Sequence, residues 1–226
     1  MKIRLPLFLS LLIVAAMAGI SAWAWQLIPD TARIAVHFDA HGVPNGFAGK
    51  TFALSLMPAM ALGLTVLLSV VPSIEPRRFN LAASAMLYKT AWIGGLVLLA
   101  IGHTAIVLSA LHVNVDVPRL IIPGVAVLFL IVGNFLGKTR PNFSAGIRTR
   151  WTLSSDYSWE KTHRLTGRLF VLAAAAGLVV SLVADQGIAC LILVGGAFAA
   201  WLIGVIASYF YWRRDPARHS SDSVPE

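Results

Sequence analysis

"LIIPGVAVLFLIVGNFLGKTR", residues 120–140, is almost wholly apolar as far as Leu136 and then turns basic at Lys138 and Arg140. A helix on the surface of a soluble domain would carry a polar face every three or four residues, and this block has none. The same layout recurs along the chain. Six apolar blocks stand out, Leu5–Ile28, Phe52–Val71, Ala85–Leu111, Leu120–Leu136, Leu169–Val183 and Ile188–Trp212, each close to the roughly 20 helical residues that a bilayer core requires. Only 12% of residues are charged, against about 25% in soluble domains. The expected fold class is an all-α integral membrane protein with six transmembrane helices.

Orientation follows from the cations. Of the 18 Lys and Arg, only Arg33, Lys50 and Arg119 fall in the loops after spans one, three and five. The others cluster at the opposite ends, which predicts both termini on the cytoplasmic side (N-in/C-in) of a cell membrane. Topology thus accounts for the net charge of +8, and no direct nucleic-acid partner is expected. Lys2 and Arg4 ahead of an apolar run, with Ala22-Trp23-Ala24 behind, resemble a secretory leader; the run continues to Ile28, which favours an uncleaved anchor. Cys190 has no partner for an intrachain disulfide and reads as a small apolar filler. Residues 1–112 read as an N-terminal membrane domain of three spans, 113–214 as a C-terminal one, and 215–226 as a disordered tail.

Two polar passages interrupt the lipid-facing sequence. The outer loop, 29–51, contains "ARIAVHF", suited to a short extended stretch, followed by Gly42-Val43-Pro44-Asn45-Gly46. Proline fixes one dihedral and Asn-Gly tolerates positive φ, so a tight turn is expected there. With His37, Asp39, His41 and Lys50 flanking it, the turn is a candidate capture site. His37 and His41 have the spacing of a helical zinc pair, but in a turn-rich loop no metal is expected.

The inner passage is "GNFLGKTRPNFSAGIRTRWTLSSDYSWEKTHRLTGRLF", residues 133–170. Ser154 or Ser155 is placed to cap a helix, with Asp156 in its first turn. Trp159, His163, Thr166 and Phe170 then share one helical face. This helix is expected to run along the interface and bend into span five, with Gly167 permitting close approach to a neighbour. Arg148, Arg150, Arg164 and Arg168 would reach lipid phosphates or an acidic partner. Read from its chemistry alone, the passage is a basic, aromatic anchor at the bilayer surface.

The inner passage closely resembles the signature of the SdpI-like membrane proteins, the Sdp-type toxin immunity family. The matching positions are Gly133, Asn134, Pro141, Asn142, Gly146, Ile147, Arg148, Thr149, Trp151, Thr152, Leu153, Trp159, Thr162, His163, Arg164 and Gly167. Arg150 departs from the pattern where proline is usual. The outer loop resembles the N-terminal membrane domain associated with that family, through Pro29, His37, Phe38, Gly42, Pro44, Gly46 and Lys50, with Asn45 in place of the usual aspartate. The resemblance implies protection of a bacterial cell from a secreted, membrane-active toxic peptide. It implies sensing as well, with a small helix-turn-helix repressor held at the membrane. On this reading His37, Phe38, Gly42, Pro44, Asn45, Gly46 and Lys50 meet the peptide. Asn142, Gly146, Arg148, Thr149, Trp151, Thr152, Trp159, Thr162, His163, Arg164 and Gly167 carry the response. No cofactor is implied.

The competing expectation is a transporter or permeation pathway. Its pointers are His103 within span three, Asn134 near the inner end of span four, and Pro58 interrupting span two; liposome flux lost in His103→Ala would identify it. An enzyme is not expected: Asp156, Glu160 and His163 lie close in sequence but outside an evident cleft, and Glu160 with Arg164 reads as an exposed i,i+4 pair. Gly133 and Gly137 have the small-xxx-small spacing that would support a homo-oligomer.

Overall fold

The structure, a computed structural model, describes residues 1–217. Its elements are α1 (Arg4–Leu27), β1 (Arg33–Phe38), β2 (Pro44–Gly49), α2 (Lys50–Ile74), α3 (Arg78–Ala83), α4 (Ala85–Ala110), α5 (Val117–Leu136), α6 (Arg150–Leu153), α7 (Asp156–Val183) and α8 (Gln186–Arg213). The six long helices are each long and apolar enough to cross a membrane, and the protein is an all-α membrane protein. Its outside is greasier than its inside. Leu5, Leu172, Leu182 and Leu191 are exposed, whereas Ala24, Ala61, Ala126, Ala174, Ala189 and Ser10 are buried. Small residues inside let helix backbones approach where lipid supplies no hydrophobic drive.

The helices pack in two groups of three, α1–α2–α4 and α5–α7–α8, joined along α4 and α5. Met17, Leu81, Trp92 and Leu96 fill one part of the first group and Ile28, Ile34 and Leu54 another. Ile122, Ala126, Ala174 and Leu193 fill the second. All six expected spans are present. Span four begins earlier than expected, because the Asp116 side chain accepts from the Arg119 amide at 3.2 Å and Pro118 occupies the first turn. Span five gains a further three turns at its start, the helix expected to run along the interface before it being the first part of one continuous α7.

Pro58 and Pro72 lie inside α2 without ending it. A proline leaves the carbonyl four residues earlier without its helical donor. Both vacated carbonyls find a side chain from a neighbouring helix: Ser21 Oγ donates to Leu54 O at 2.7 Å, and Tyr88 Oη donates to Leu68 O at 2.6 Å. Prolines are tolerated in lipid when neighbours restore the lost bonds in this way.

The outer loop forms a β-hairpin, β1 antiparallel to β2. Its turn lies earlier than the Gly-Val-Pro-Asn-Gly passage suggested. Asp39 Oδ1 accepts from the amides of both His41 and Val43 at 2.9 Å, and Gly42 takes φ +82°. A carboxylate bonding amides two and four residues ahead starts the reversal at once, so Pro44 opens β2 and Asn45 and Gly46 lie within the strand. The hairpin, the 111–116 link and the α7–α8 corner share one end of the molecule, the hairpin end. The N-terminus, residues 75–84, residues 137–155 and the end of α8 share the other, the terminal end. Of the tail expected to be unstructured, residues 218–226 lie outside the described residues. Asp215 is buried and accepts a hydrogen bond from Ser155 at 2.5 Å.

Candidate functional site

At the terminal end the chain between α5 and α7 folds inward. Asn142 is fully buried. Its side-chain amide donates to Arg140 O, and its Oδ1 accepts from the amides of Ser144 and Ala145 at 2.9 and 2.7 Å. One side chain thereby shapes the loop that sequence pattern alone marked as basic and aromatic. Thr149 caps the short α6, and its partner Thr152 returns the bond to the Thr149 amide at 3.0 Å, a reciprocal capping box. Thr152 Oγ1 also donates to Ile147 O at 2.8 Å, and Thr149 Oγ1 lies 3.0 Å from Ser208 Oγ of α8. Ser155, one of the two expected caps, accepts from the Ser158 amide at the start of α7, while Ser154 instead closes α6.

His163 is the centre of this arrangement. It is fully buried and stacks on Trp159, with ring centroids 4.0 Å apart. Its Nε2 accepts from the Ile147 amide at 2.8 Å, and its Nδ1 lies 2.8 Å from Trp159 O. An Nε2 that accepts carries no proton, so the geometry selects the neutral imidazole with its proton on Nδ1, donated to the carbonyl. Gly146 lies directly against this ring at φ +118°, and a Cβ there would stand 2.4 Å from His163 Nε2. Trp159 Nε1 donates to both the carbonyl and the hydroxyl of Thr139. Where α5 crosses α7 the backbones touch at Gly133 and Gly167, and Gly137 lies against Arg164. The small-residue spacing on α5 is thus used for packing within the chain.

The structure therefore divides the inner signature. Asn142, Thr152, Trp159, Thr162, His163 and Gly167 are buried, and the Thr162 hydroxyl has no hydrogen-bond partner among the described residues. These residues build the loop and are closed to an external partner. Gly146, Arg148 and Arg164 are exposed, with Thr149 and Trp151 half-buried. Trp151 packs on Tyr209 at 5.2 Å, Arg148 donates to Phe143 O, and Arg164 pairs with Glu160 at 3.1 Å. Arg150, at the family's proline position, opens α6 and lies over the Trp151 ring.

Sequence reading missed the residues that hold this loop from the other helix group. Glu75, just past α2, is buried. Its Oε1 accepts from the amides of Arg77 and Phe143, and its Oε2 from Ser144 Oγ. Asn80 Nδ2 donates to Pro141 O, Ser84 Oγ accepts from the Arg140 amide, and an Arg77 guanidinium nitrogen donates to Leu153 O. The available signal was Glu75 itself, a lone acid beside Arg77 and Arg78 at a span end where cations are the rule. Burial pushes its carboxyl upward, but the bonds from Ser144, Phe143 and Arg77 and the Arg77 charge outweigh this, holding it below the ordinary 4.5. A lowered folded-state value means stabilisation present in full above the unfolded value and lost as pH falls through the folded one. Unfolding in mixed micelles between about pH 3 and 7 is therefore expected to show an acid-side loss that Glu75→Gln makes shallower. Equal pH slopes for the two proteins would remove Glu75 as its source.

At the hairpin end His37 and Asn45 are exposed and face each other across the strands, His37 Nδ1 lying 2.5 Å from Asn45 Oδ1. Asparagine thus supplies the acceptor without the charge that aspartate would bring. Phe38 packs against the first core and Pro44 is exposed. Gly46 stands opposite His37 in the ladder. Lys50, expected to meet an external peptide, is turned inward: it is buried, 2.8 Å from Asp30 Oδ1 and over the Trp25 ring. Its bond and charge hold the Asp30 carboxyl below the ordinary 3.8. His41 does not converge with His37. It reaches Asp185 at the α7–α8 corner, 3.4 Å away, while Gly42 lies on Pro118 of α5. A bond from the Ile188 amide, together with the His41 contact, lowers the Asp185 carboxyl despite desolvation.

The intramembrane polar residues have separate fates. His103 is fully buried, its Nε2 3.0 Å from Ser21 Oγ and 3.2 Å from Met17 O. It joins the bond that repairs the carbonyl vacated by Pro58, and its Nδ1 has no partner among the described residues. Asn134 is exposed on α5, not part of a path between the helices.

Six spans, a hairpin docked at one end and a clamped basic loop at the other define a multi-pass α-helical membrane protein with a built feature on each side. Residues 138–209 match the family model of the SdpI/YfhL protein family, and residues 12–62 match a domain of unknown function (DUF1648). Over residues 138–209 the chain is similar to the SdpI/YfhL protein family, and that match takes in the clamped loop together with α7 and most of α8. No curated protein and no solved structure matches the chain.

Proposed function

We propose that the protein gives immunity to a secreted, membrane-active toxic peptide in the bacterial cytoplasmic membrane, with the hairpin outside and the clamped loop in the cytoplasm. The observation that carries this reading is α7. One unbroken helix begins beside the His163–Ile147 contact and ends at the corner where Asp185 meets His41 of the hairpin. A peptide lying on the exposed His37, Val43, Asn45 and Phe47 would bear on that corner, and any tilt of α7 would reach the loop through packed groups that have few alternative arrangements. The exposed Arg148 and Arg164 would then be offered to a small helix-turn-helix repressor, whose acidic groups they would pair.

A strain lacking the gene, challenged with membrane-active peptides secreted by neighbouring strains, is expected to show sensitivity that the wild-type gene reverses. Unchanged survival across a broad panel would reject the proposal. Reporter fusions at Asn45 and Thr152 test its orientation; an outward-facing Thr152 would reject it. The repressor extension is separable: Arg148→Ala should silence induction of a reporter while protection remains, and an unmoved reporter would remove that extension alone.

A further inference from the structure

Beside the clamped loop, on the outer side of the α5–α7 pair, lies an open groove of about 690 Å³. Its floor is the glycine contact between the two helices, where Gly133, Gly137 and Gly167 contribute no side chains. Polarity runs along its length. Lys138, just past α5, and Arg164 and Arg168, four residues apart on α7, line one end; Val171 and Leu172 line the other, with the exposed Asn134 amide between. Leu172 is 66% exposed. The cations are poorly matched by acids. Arg164 pairs with Glu160, but among the described residues Lys138 and Arg168 form no ion pair.

We propose that this groove is a binding site for one anionic phospholipid of the surrounding membrane. The phosphodiester would sit among Lys138, Arg164 and Arg168, Asn134 would donate to the glycerol ester region, and an acyl chain would lie over the glycine floor against Val171 and Leu172. The polarity decides among occupants. Free phosphate would use only the basic end, and an acidic peptide would lay polar backbone on the apolar half. A second copy related by a twofold axis would bring three cations onto three. A phospholipid matches both halves, and its head-to-tail direction matches the groove's, basic at the span end and apolar toward the bilayer centre. Its bound lipid would also brace the crossing of α5 with α7, the helix that bears His163. The inference rests on the membrane fold and stands apart from the toxin reading.

Purified full-length protein, titrated with phosphatidylglycerol or phosphatidylcholine and observed by native mass spectrometry, tests it. Two unpaired cations at about 1 kcal/mol each predict retention of phosphatidylglycerol over phosphatidylcholine by about tenfold or more. The preference should vanish in a Lys138→Gln, Arg164→Gln, Arg168→Gln triple variant. It should persist when Lys2, Arg4 and Arg78, cations at the same end but outside the groove, are changed to Gln. Leu172→Trp, which leaves the cations intact and fills the apolar half, should weaken phosphatidylglycerol binding. Equal loss in both triple variants would mean a diffuse surface field and overturn the proposal. Equal retention of the two lipids, displacement by inorganic phosphate, or a lipid-free dimer in place of the lipid-bound monomer would each overturn it too.

Discussion

Gly146→Ala is expected to destabilise the second helix group by roughly 3–5 kcal/mol. Two costs combine. The backbone at φ +118° is one that L side chains rarely adopt, and the new Cβ would stand 2.4 Å from His163 Nε2 and 3.3 Å from the Trp159 ring. The ring has nowhere to retreat, since it is stacked on Trp159 and bonded at both nitrogens. Displacing it leaves a buried amide and a buried imidazole nitrogen unpaired, each costing about 1–3 kcal/mol. The measurements are unfolding free energy in mixed micelles and the rate of tryptic cleavage after Arg148 and Arg150, which should rise as the loop loosens. A His163→Ala background supplies the control. With the ring gone, alanine at position 146 should cost only its backbone strain, about 1–2 kcal/mol. Additive effects of the two substitutions would show that Gly146 and His163 are not coupled.

Gly167→Val is the second large effect, expected at about 2–4 kcal/mol through forced separation of α5 from α7. A Cβ at this position would lie 2.6 Å from Gly133 O and 3.4 Å from Gly137 N, both backbone atoms, so no side-chain rotation relieves the clash. The contrast is Gly195 on α8, where nothing lies within 4 Å of a built Cβ. Alanine there should be neutral or raise stability by up to about 1 kcal/mol through helix propensity. The same micelle unfolding assay ranks the two. Equal effects at the two glycines would show that the helices do not cross where Gly133 and Gly167 meet.

These sites show what a single sequence reveals and what it withholds. The spans were legible because lipid demands long apolar helices whatever surrounds them. The face formed by Trp159, His163, Thr166 and Phe170 was legible for the same local reason, the helical repeat. Its burial was not, because Thr139, Ile147 and Gly204 approach it from distant parts of the chain. The hairpin shows the same limit at short range. Pro44, Asn45 and Gly46 have strong turn preferences, yet the Asp39 carboxylate starts the reversal sooner and draws them into a strand. Lys50 looked like an exposed cation because Asp30 and Trp25 precede it by many residues. Glu75 was overlooked for the opposite reason: its meaning lies in breaking the charge pattern of its end of the protein, and its partners in the loop, Phe143 and Ser144, lie more than sixty residues downstream.

The prolines of α2 bear on how the protein is made. Spans enter the bilayer in order of synthesis. When α1 and α2 are in place, Ser21 can already serve the Leu54 carbonyl, but the Leu68 carbonyl must wait for Tyr88 of α4. A peptide oxygen left bare in hydrocarbon costs several kcal/mol. The first two spans alone are therefore an unfinished unit, and docking of α4 closes a debt written into α2 by Pro72. Evolution could exchange Pro72 for a non-proline and thereby release Tyr88, but losing the tyrosine first would strand the insertion intermediate.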